Sequence, residues 1–365
     1  MLTIKEYVNS CKNILEPYIE KYLADLIGKR FSPDHNRSNY DREIAGLYGV
    51  FKEAGKGGKC IRGSLVKLGY EIALGRTAGD EILPACAAFE ILQTAILAHD
   101  DVIDKSTLRR GKDSVWRAVM RRMEGAEDID FNRCHYGISQ AICLGDIGIS
   151  LANRLIVESS FDADRKIKAM KTFLDIQLNT IDGEMLDVLM SDDKDYSDEG
   201  GILQIANLKT AWYTVVGPLQ LGAVLGGASP ELLDSMRRFG IFLGTAFQIR
   251  DDILSINATE AETGKSNISD IAEGKVTLLA HYAMKKASPA QLEMLRRIYG
   301  SGTVSESDRL AVCDIFENTG AFIEAEKKAA ECLSEASGMI SALTQNAGHA
   351  SLLRQLIDML AQRRS

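Results

Sequence analysis

Two pairs of adjacent aspartates are the residues of this 365-residue chain that point most directly to chemistry: Asp100 with Asp101, and Asp251 with Asp252. Each pair comes one residue after a long run of uncharged, mostly apolar residues, 91–98 before the first pair and 239–249 before the second. On a helix, Asp100 and Asp104 project from one face, so two carboxylates aim at one point. Like charges at about 4 Å repel by about 1 kcal/mol in water and by more in a dry cleft. The pattern therefore indicates a divalent cation, and magnesium, which prefers oxygen ligands, fits it best.

Basic residues follow both aspartate pairs. The first pair leads into residues 108–112 (LRRGK), and the second into 263–265 (TGK) and 270–275 (DIAEGK). Arginine offers a planar fork to phosphate oxygens, and lysine offers a point charge. Carboxylates with basic groups close behind predict a site for phosphates bridged by metal ions.

The elements that position these residues are predicted to be helices. The chain is 45% hydrophobic, has six prolines and contains no Pro- or Ser-rich linker. Amphipathic spacing recurs, and no strand alternation of useful length is present. These features predict an all-α fold, one large bundle of antiparallel helices spanning 1–365 as a single domain. The polar segment 121–133 is interpreted as a loop between helices.

Charge and composition exclude other classes. A net charge of −8 argues against a nucleic-acid-binding surface. The most apolar stretch, 85–98, is interrupted by Glu90 and Gln93, so an integral membrane protein is not expected. Seven cysteines without a C-x-x-C pair predict reduced thiols and a cytoplasmic protein, neither disulfide-bonded nor zinc-binding.

Taken in order, the motifs resemble one family. They are residues 57–63 (GGKCIRG), 90–104 with its aspartate-rich end, 108–111 (LRRG), 183–187 (GEMLD), 209–213 (KTAWY) and 247–275. In this order they are similar to the motifs of the trans-isoprenyl diphosphate synthases, or polyprenyl synthetases, nearly from end to end. The resemblance implies long antiparallel helices around a central cavity, and a homodimer formed through apolar helices.

The same resemblance implies the reaction and its ligands. An allylic diphosphate ionises and is joined to isopentenyl diphosphate, with three Mg²⁺ ions neutralising the two diphosphates. By resemblance, Asp100 and Asp104 hold two ions and Asp251 the third, while Asp101 and Asp252 orient ligands or waters. The allylic diphosphate is expected to be bound by the basic residues Arg109, Lys209, Lys265 and Lys275.

A second, metal-free basic pocket is expected for isopentenyl diphosphate. Its predicted residues are Lys59, Arg62, Gln93 and Arg110; a buried helix amide is an equal interpretation of Gln93. The cationic region is expected to be lined by Thr210, Tyr213 and Gln248. No general base stands out, so the released pyrophosphate is the expected proton acceptor.

Three positions depart from the family's pattern: Cys60 replaces a common Arg, Glu184 stands where Gln is frequent, and Ser255 replaces a third aspartate. The spacing of Lys59 and Arg62 survives the first change, and catalysis is expected to persist despite the third. Glu184 is open: its carboxylate could stabilise the carbocation or change metal affinity.

Product length depends on the helix before Asp100. Ala95 and Ile96, five and four residues back, are not aromatic, so the near block typical of farnesyl-forming members is absent. Phe89 is 11 residues back, about 16 Å at 1.5 Å per residue, and is expected to form a deeper floor. The expected product is C20 geranylgeranyl diphosphate. A farnesyl or C25 and longer product stays open, as does Trp116 or another helix as the floor.

Two other functions share some of these features. A terpene cyclase would share the aspartate-rich helix and magnesium, but it would not need Lys59, Arg62 and a second aspartate pair. A non-catalytic regulatory subunit would usually lose aspartates from the metal motifs, whereas this chain keeps both pairs. An enzyme is therefore expected.

Overall fold

The structure is a computed structural model that describes residues 2–31, 40–123, 131–193, 198–257 and 269–361. Over these ranges it is all-α, as the sequence predicts. The helices are α1 (Ile4–Arg30), α2 (Tyr40–Ala54), α3 (Ile61–Leu74), α4 (Leu83–Ile103), α5 (Val115–Arg121), α6 (Phe131–Val157), α7 (Ala163–Asp193), α8 (Glu199–Ile205), α9 (Gly217–Leu225), α10 (Pro230–Asn257), α11 (Ser269–Glu273), α12 (Leu278–Lys286), α13 (Pro289–Ile298), α14 (Glu306–Asn318), α15 (Ala321–Gly338), α16 (Ile340–Leu343) and α17 (Ala347–Ala361). A 3₁₀ turn, Asp80–Ile82, precedes α4, and a π-helical segment, Ala206–Val216, joins α8 to α9.

Local sequence explains where several helices begin. Thr3 and Glu6 form a capping box at the start of α1, and Ser288 and Gln291 form another at α13. Such reciprocal bonds satisfy backbone N–H groups that have no partner inside the helix. α3 ends at Gly75, whose φ of 69° suits glycine because a Cβ would be strained there.

Helix α4 lies at the centre of the site and packs against α6. Gly148 of α6 faces Ala95 of α4, and Gly145, three residues earlier on α6, faces His99, four residues later on α4. The two helices therefore run antiparallel. The glycines let the backbones approach, because an added Cβ at Gly148 would lie 2.7 Å from the Ala95 Cβ. This close packing fixes which face of α4 is left for the site.

Within the described ranges, three buried clusters form the core. The first surrounds α4, α6 and α7; the second joins α3, α10 and α15; the third lies among α10, α12, α14 and α15. The π-helical segment packs on α7 and α10, between the first two clusters. The prediction of a single domain is consistent with this interleaving and stays a prediction.

A short hairpin was not predicted from the sequence. Strands β1 (Leu108–Arg109) and β2 (Lys112–Asp113) pair antiparallel, with Leu108 opposite Asp113 and Arg109 opposite Lys112. The two turn residues, Arg110 and Gly111, have φ of 54° and 72°. Positive φ at both positions is typical of the type I′ turn that joins two-residue hairpins. A non-glycine residue in this region costs energy, and such strain clusters at functional sites.

The polar segment 121–133 is a loop only in part. Arg121 is the last residue of α5, and Phe131 begins α6, so residues at both ends of the predicted loop are helical. Residues 124–130 lie outside the described ranges. The helical ends follow from packing of α5 on α6, which polar composition alone does not reveal.

Two described helical segments, Asp80–Ile103 and Phe131–Val157, are long and apolar enough to cross a membrane by length and composition alone. Of the apolar window in the first, 67% is buried inside the fold, and of that in the second, 44%. Burial of the first accounts for its composition, because a core helix is hydrophobic all round.

Candidate active site

Three carboxylates meet at the C-terminal end of α4. Oxygens of Asp100, Asp104 and Glu184 all lie within 4.8 Å of one another, and each residue is partly buried. Magnesium binds oxygens at about 2.1 Å in an octahedron, which places neighbouring ligands about 3 Å apart and opposite ones about 4.2 Å apart. This donor set therefore fits magnesium. It confirms that Asp100 and Asp104 converge and adds Glu184 from α7.

Asp101 faces another way. It is 1% exposed and lies outside the three-oxygen group. Arg109 donates from Nε to Asp101 Oδ1 at 2.8 Å, and from Nη2 to both Asp101 and Asp100, the latter at 2.9 Å. Burial acts to lower the pKa of Arg109, but Asp100 and Asp101 outweigh it and raise that pKa. Asp101 thus orients Arg109, and through it Asp100.

The hairpin carries the two arginines to different places. Arg109 reaches the aspartates, whereas the guanidinium of Arg110 lies against Gly58. A Cβ added at Gly58 would lie 3.4 Å from Arg110 Nη1. The turn at Arg110 thus separates two adjacent arginines, one at the carboxylates and one at the glycine-rich loop.

Lys209 lies on the opposite side of the carboxylates. Its Nζ is 2.7 Å from Glu184 Oε2, 2.8 Å from Asp187 Oδ2 and 3.6 Å from Asp100 Oδ1. Burial acts to lower the pKa of Lys209, but Asp187, Asp100 and Glu184 outweigh it and raise that pKa. Burial also raises the pKa of Glu184, which Lys209 opposes. The sequence motif 183–187 includes Asp187 but gave it no role; its position three residues after Glu184 on a helix was the available signal.

The π-helical segment explains how Lys209 reaches this point. At its end the Gly217 N–H donates to the Trp212 carbonyl, five residues back. π-helical turns inside helices are often found at functional sites. Gly183 on α7 lies against this segment, and an added Cβ would meet the Lys209 backbone N at 2.3 Å. The close approach places Lys209 beside Glu184.

The second aspartate pair lies on α10 and is connected differently. Gln248 donates from Nε2 to Asp252 Oδ1 at 2.7 Å and accepts from Thr210 Oγ1. Burial raises the pKa of Asp252 well above its usual range, and nearby Asp270 and Asp251 add to this. Asp251 is partly buried, and Ser255 donates to the Asp252 carbonyl on its own helix. Thr210 and Gln248, both predicted from the sequence, are therefore joined.

Lys275 contacts the first aspartate motif and the segment that follows the second. Its Nζ lies 3.6 Å from Asp104 Oδ2, 3.4 Å from Asp270 Oδ1 and 3.7 Å from Glu273 Oε2. Asp270 is the main reason that the pKa of Lys275 is raised. Sequence reasoning missed Asp270 because its neighbours suggested only a basic segment. Lys265 lies outside the described residues.

Two of the predicted isopentenyl diphosphate residues, Arg62 and Gln93, contact Tyr213. The Arg62 guanidinium lies 4.3 Å above the Tyr213 ring and donates to Thr214 Oγ1 at 2.8 Å. Tyr213 donates its hydroxyl to Gln93 Oε1 at 3.0 Å, so Gln93 is a bonded amide whose oxygen accepts from Tyr213. Lys59 is exposed. The pocket is thus held by π-segment residues, of which Thr214 was not predicted.

Glu90 supports this pocket from below. It accepts from the Gly63 N–H at 2.8 Å, next to Arg62 at the start of α3. Burial raises the pKa of Glu90, while the Gly63 bond and Arg62 lower it. Cys60 caps α3 in a left-handed conformation, φ 52°, and is buried. The substitution of Cys at this position leaves Arg62 on the first turn of the helix.

The residues predicted to set product length lie at different places. Phe89 is fully buried, and its ring packs edge-on against Phe173 of α7 at 5.2 Å. Ile96 is partly exposed on the same face of α4 as Asp100. Ala95 instead packs against Gly148 of α6. Trp116 donates Nε1–H to the Ser106 carbonyl, beyond the end of α4, so it is remote from Phe89.

Comparison with known proteins agrees with these features. The profile of the Polyprenyl synthetase family matches residues 46–316. A short chain isoprenyl diphosphate synthase of Methanothermobacter thermautotrophicus is 33% identical over 73% of this chain and 74% of its own. A geranylfarnesyl diphosphate synthase of Aeropyrum pernix is 29% identical over 84% of this chain and 91% of its own.

Solved structures give the same result. The geranylgeranyl pyrophosphate synthase of Corynebacterium glutamicum, complexed with isoprenyl diphosphate and magnesium, has a TM-score of 0.89 at 26% identity, with both chains covered completely. A polyprenyl synthase of Caulobacter crescentus, complexed with calcium and isoprenyl diphosphate, has a TM-score of 0.75 at 25% identity, covering 98% of each chain. With one aspartate motif on α4, the other on α10, and its sequence matched over most of its length, this chain belongs to the polyprenyl synthetase family.

Proposed function

We propose that the protein is a magnesium-dependent trans-prenyltransferase that condenses isopentenyl diphosphate with an allylic diphosphate, head to tail, to give geranylgeranyl diphosphate. The observation that carries the proposal is the convergence of Asp100, Asp104 and Glu184 beside Lys209 and Arg109. Carboxylates that fit a divalent cation, next to an arginine and a lysine side chain, suit a metal-bound diphosphate. The named relatives and the magnesium in a structural neighbour support this reading.

The reaction breaks the C–O bond of the allylic diphosphate and bonds the allylic carbon to C4 of isopentenyl diphosphate. A proton then leaves for the released diphosphate, so that atoms and charge balance. Asp100, Asp104 and Glu184 would hold magnesium at one end, and Asp251 would hold it on α10. Bound magnesium would stabilise the negative charge that develops on the leaving oxygen.

The basic residues of the chain orient the allylic diphosphate. Arg109 is fixed by Asp100 and Asp101, and Lys209 by Glu184 and Asp187, so neither side chain must be ordered when substrate binds. Preorganised charges stabilise a transition state without reorganisation cost. Lys275, and Lys265 by family resemblance, would bind oxygens at the mouth of the cleft.

A separate group serves isopentenyl diphosphate. Lys59, Arg62 and Arg110 supply positive charge, and Gln93 lies beside them, held by Tyr213. No carboxylate of the three-oxygen group contacts Arg62 among the bonds of the described residues. Binding of this diphosphate therefore depends on the protein's basic groups.

Three magnesium ions are proposed. They carry six positive charges, enough for two diphosphates of about three negative charges each. Two would bind Asp100, Asp104 and Glu184, and the third would bind Asp251, with Asp252 bonded to Gln248 to orient it. Equilibrium dialysis with Mg²⁺ and a non-ionisable allylic thiodiphosphate would count them.

The product assay tests the main proposal. Purified protein with Mg²⁺ and labelled isopentenyl diphosphate is offered dimethylallyl, geranyl or farnesyl diphosphate, and the dephosphorylated products are sized by chromatography. A dominant C20 alcohol supports the proposal, and a C15, C25 or longer product keeps the reaction but changes the length. Asp100→Asn serves as the inactive control. Elongation of no primer by folded protein would favour a cyclase or a regulatory subunit.

We further propose a homodimer formed through α7. One face of α7 exposes large apolar residues at spacings of three, four and seven, namely Ile167, Leu174, Leu178, Ile181, Met185 and Leu189. Such a stripe is the pattern of a helix that packs on another helix. Sedimentation should give a dimer for the native chain and a monomer for Leu178→Glu. Ile323→Glu, at an apolar residue on α15 that is 73% exposed against 59% for Leu178, is the matched control and should remain dimeric.

A cytoplasmic location is proposed on the state of the thiols. All seven cysteines are free, and four are buried. Cysteines without disulfides are typical of reducing compartments. Fractionation of cells that express a tagged chain would test the location directly.

A further inference from the structure

Helices α4 and α7 run in the same direction on two sides of the site. At one end, carboxylate oxygens of Asp100 and Glu184 lie within 4.8 Å, and at the other the rings of Phe89 and Phe173 are 5.2 Å apart. The partners in each pair are 84 positions apart in sequence. Two contacts with one offset show that the helices stay in register over these 11 residues.

The intermediate levels follow from that register. Between its ends, the face of α4 carries Gln93 and Ile96, four and seven residues after Phe89. The same offset brings Gln177 and Thr180 of α7 to these levels. Positions separated by three, four and seven share one helix face, so all of these residues belong to two facing walls.

Exposure along α4 shows where the cleft ends. Asp100, Ile96 and Gln93 are each partly exposed, whereas most of their neighbours on α4 are buried. At Phe89 the exposed fraction falls to 0%, and Phe173 opposite it is also at 0%. The Tyr213 ring, 6.5 Å from Phe89, covers a third side. The cleft that begins at the carboxylates is therefore closed by the two phenylalanines.

We propose that Phe173 of α7, together with Phe89 of α4, forms the floor that limits product length. The inference rests on the proposed function. The diphosphate is held at the carboxylate end, so the apolar tail must grow along the two walls toward the rings, about 16 Å away at 1.5 Å per residue. Close-packed interiors resist insertion, so a longer tail cannot enter without displacing both rings.

The two rings should act as a unit. Each lies in contact with the other, so removal of one leaves the other partly blocking the way. Residues in contact give non-additive effects on substitution. Loss of both rings should therefore lengthen the product by more than the sum of the two single changes.

The experiment compares Phe89→Ala, Phe173→Ala and the double variant, with farnesyl diphosphate as primer and labelled isopentenyl diphosphate in excess. Phe173→Ala should shift the dominant product at least one five-carbon unit longer than that of the native chain, and the double variant should shift it further. Phe173→Leu, which keeps an apolar side chain, secures a folded variant and should give a smaller shift in the same direction. Phe316→Ala is the matched control, because Phe316 is as deeply buried but lies in the third cluster.

The outcomes separate the floor from the reaction. If the native chain elongates and both Phe173 variants give its product distribution while Phe89→Ala lengthens it, Phe173 is not part of the floor. If Phe316→Ala lengthens the product equally, general loosening explains the shift and the inference is overturned. If the native chain elongates no primer, the proposed function fails, and the inference fails with it.

Discussion

Replacing Glu184 by Gln separates the role of its charge from that of its shape. In the structure the Glu184 carboxylate belongs to the three-oxygen group with Asp100 and Asp104 and is 2.7 Å from Lys209. Gln keeps a side-chain oxygen at the same place but removes the negative charge. If Glu184 ligates a cation, the change removes one of three ligand charges.

The expected magnitude follows from the ligand count. Loss of an outer partner of a metal ligand usually weakens metal affinity by about 10- to 100-fold, and loss of a direct ligand charge should cost at least as much. We expect Mg²⁺ and Mn²⁺ to bind Glu184→Gln at least about tenfold more weakly, or about 1.4 kcal/mol. Because an oxygen ligand remains, the rate at saturating Mg²⁺ should fall much less than the affinity.

The assay is direct Mn²⁺ binding by electron paramagnetic resonance, together with the Mg²⁺ dependence of the initial rate. Asp187→Asn is the matched control: Asp187 also lies 2.8 Å from Lys209 but is outside the three-oxygen group. Its Mn²⁺ affinity should stay close to native. Equal weakening in both variants would refute the assignment of Glu184 as a ligand, because it would trace the effect to Lys209.

Three other outcomes are expected. Arg62→Lys removes the planar guanidinium that lies above the Tyr213 ring. Because bonds to charged groups contribute about 1.5–3 kcal/mol, the KM for isopentenyl diphosphate should rise about 10- to 100-fold. An equal rise in the KM for the allylic substrate would contradict this. Tyr213→Phe removes the donor to Gln93, so steady-state kinetics should show the same KM rising only about 2- to 10-fold; a larger fall in kcat would instead assign the hydroxyl to the chemical step. Tyr7→Phe removes the 2.7 Å hydrogen bond that Tyr7 donates to the buried Glu71. The free energy of unfolding, measured in urea, should fall by about 1.5–3 kcal/mol, while the steady-state kinetics of the enzyme stay unchanged. An unchanged unfolding midpoint would show that this hydrogen bond contributes nothing net to stability.

Part of the site follows from helix geometry and was predictable. Asp100 and Asp104 converge because positions four apart share a face. The same geometry argues against Ala95 as a wall residue, because five residues turn an α-helix by about 140° away from Asp100, whereas four leave Ile96 about 40° away. The structure agrees: Ala95 packs on Gly148, and Ile96 is partly exposed. Phe89, the proposed floor, lies 11 residues before Asp100 and therefore only about 20° from it around the helix.

Other parts depend on features that a helical period does not describe. Arg109 and Arg110 diverge because a two-residue turn with positive φ at Arg110 separates them. Lys209 reaches the carboxylates from the π-helical segment, in which a backbone N–H bonds the carbonyl five positions back. The 3.6-residue period of the α-helix does not apply there. The register that brings Phe173 to Phe89 and Glu184 to Asp100 is a contact between helices separated by some 60 residues of chain. No local sequence pattern encodes that register, although the residues that make the two contacts can be read from the sequence.

The basic residues show why charge had to be assigned from structure. The sequence places Arg109, Lys209 and Lys275 behind aspartates and suggests phosphate as their partner. In the structure each contacts carboxylates of the motif: Arg109 and Lys209 contact Asp100, and Lys275 contacts Asp104. A buried carboxylate is costly unless it is paired, so these contacts are what allow several acids to share one partly buried region. The same cations then face the cleft in fixed positions, which is the arrangement that a diphosphate requires.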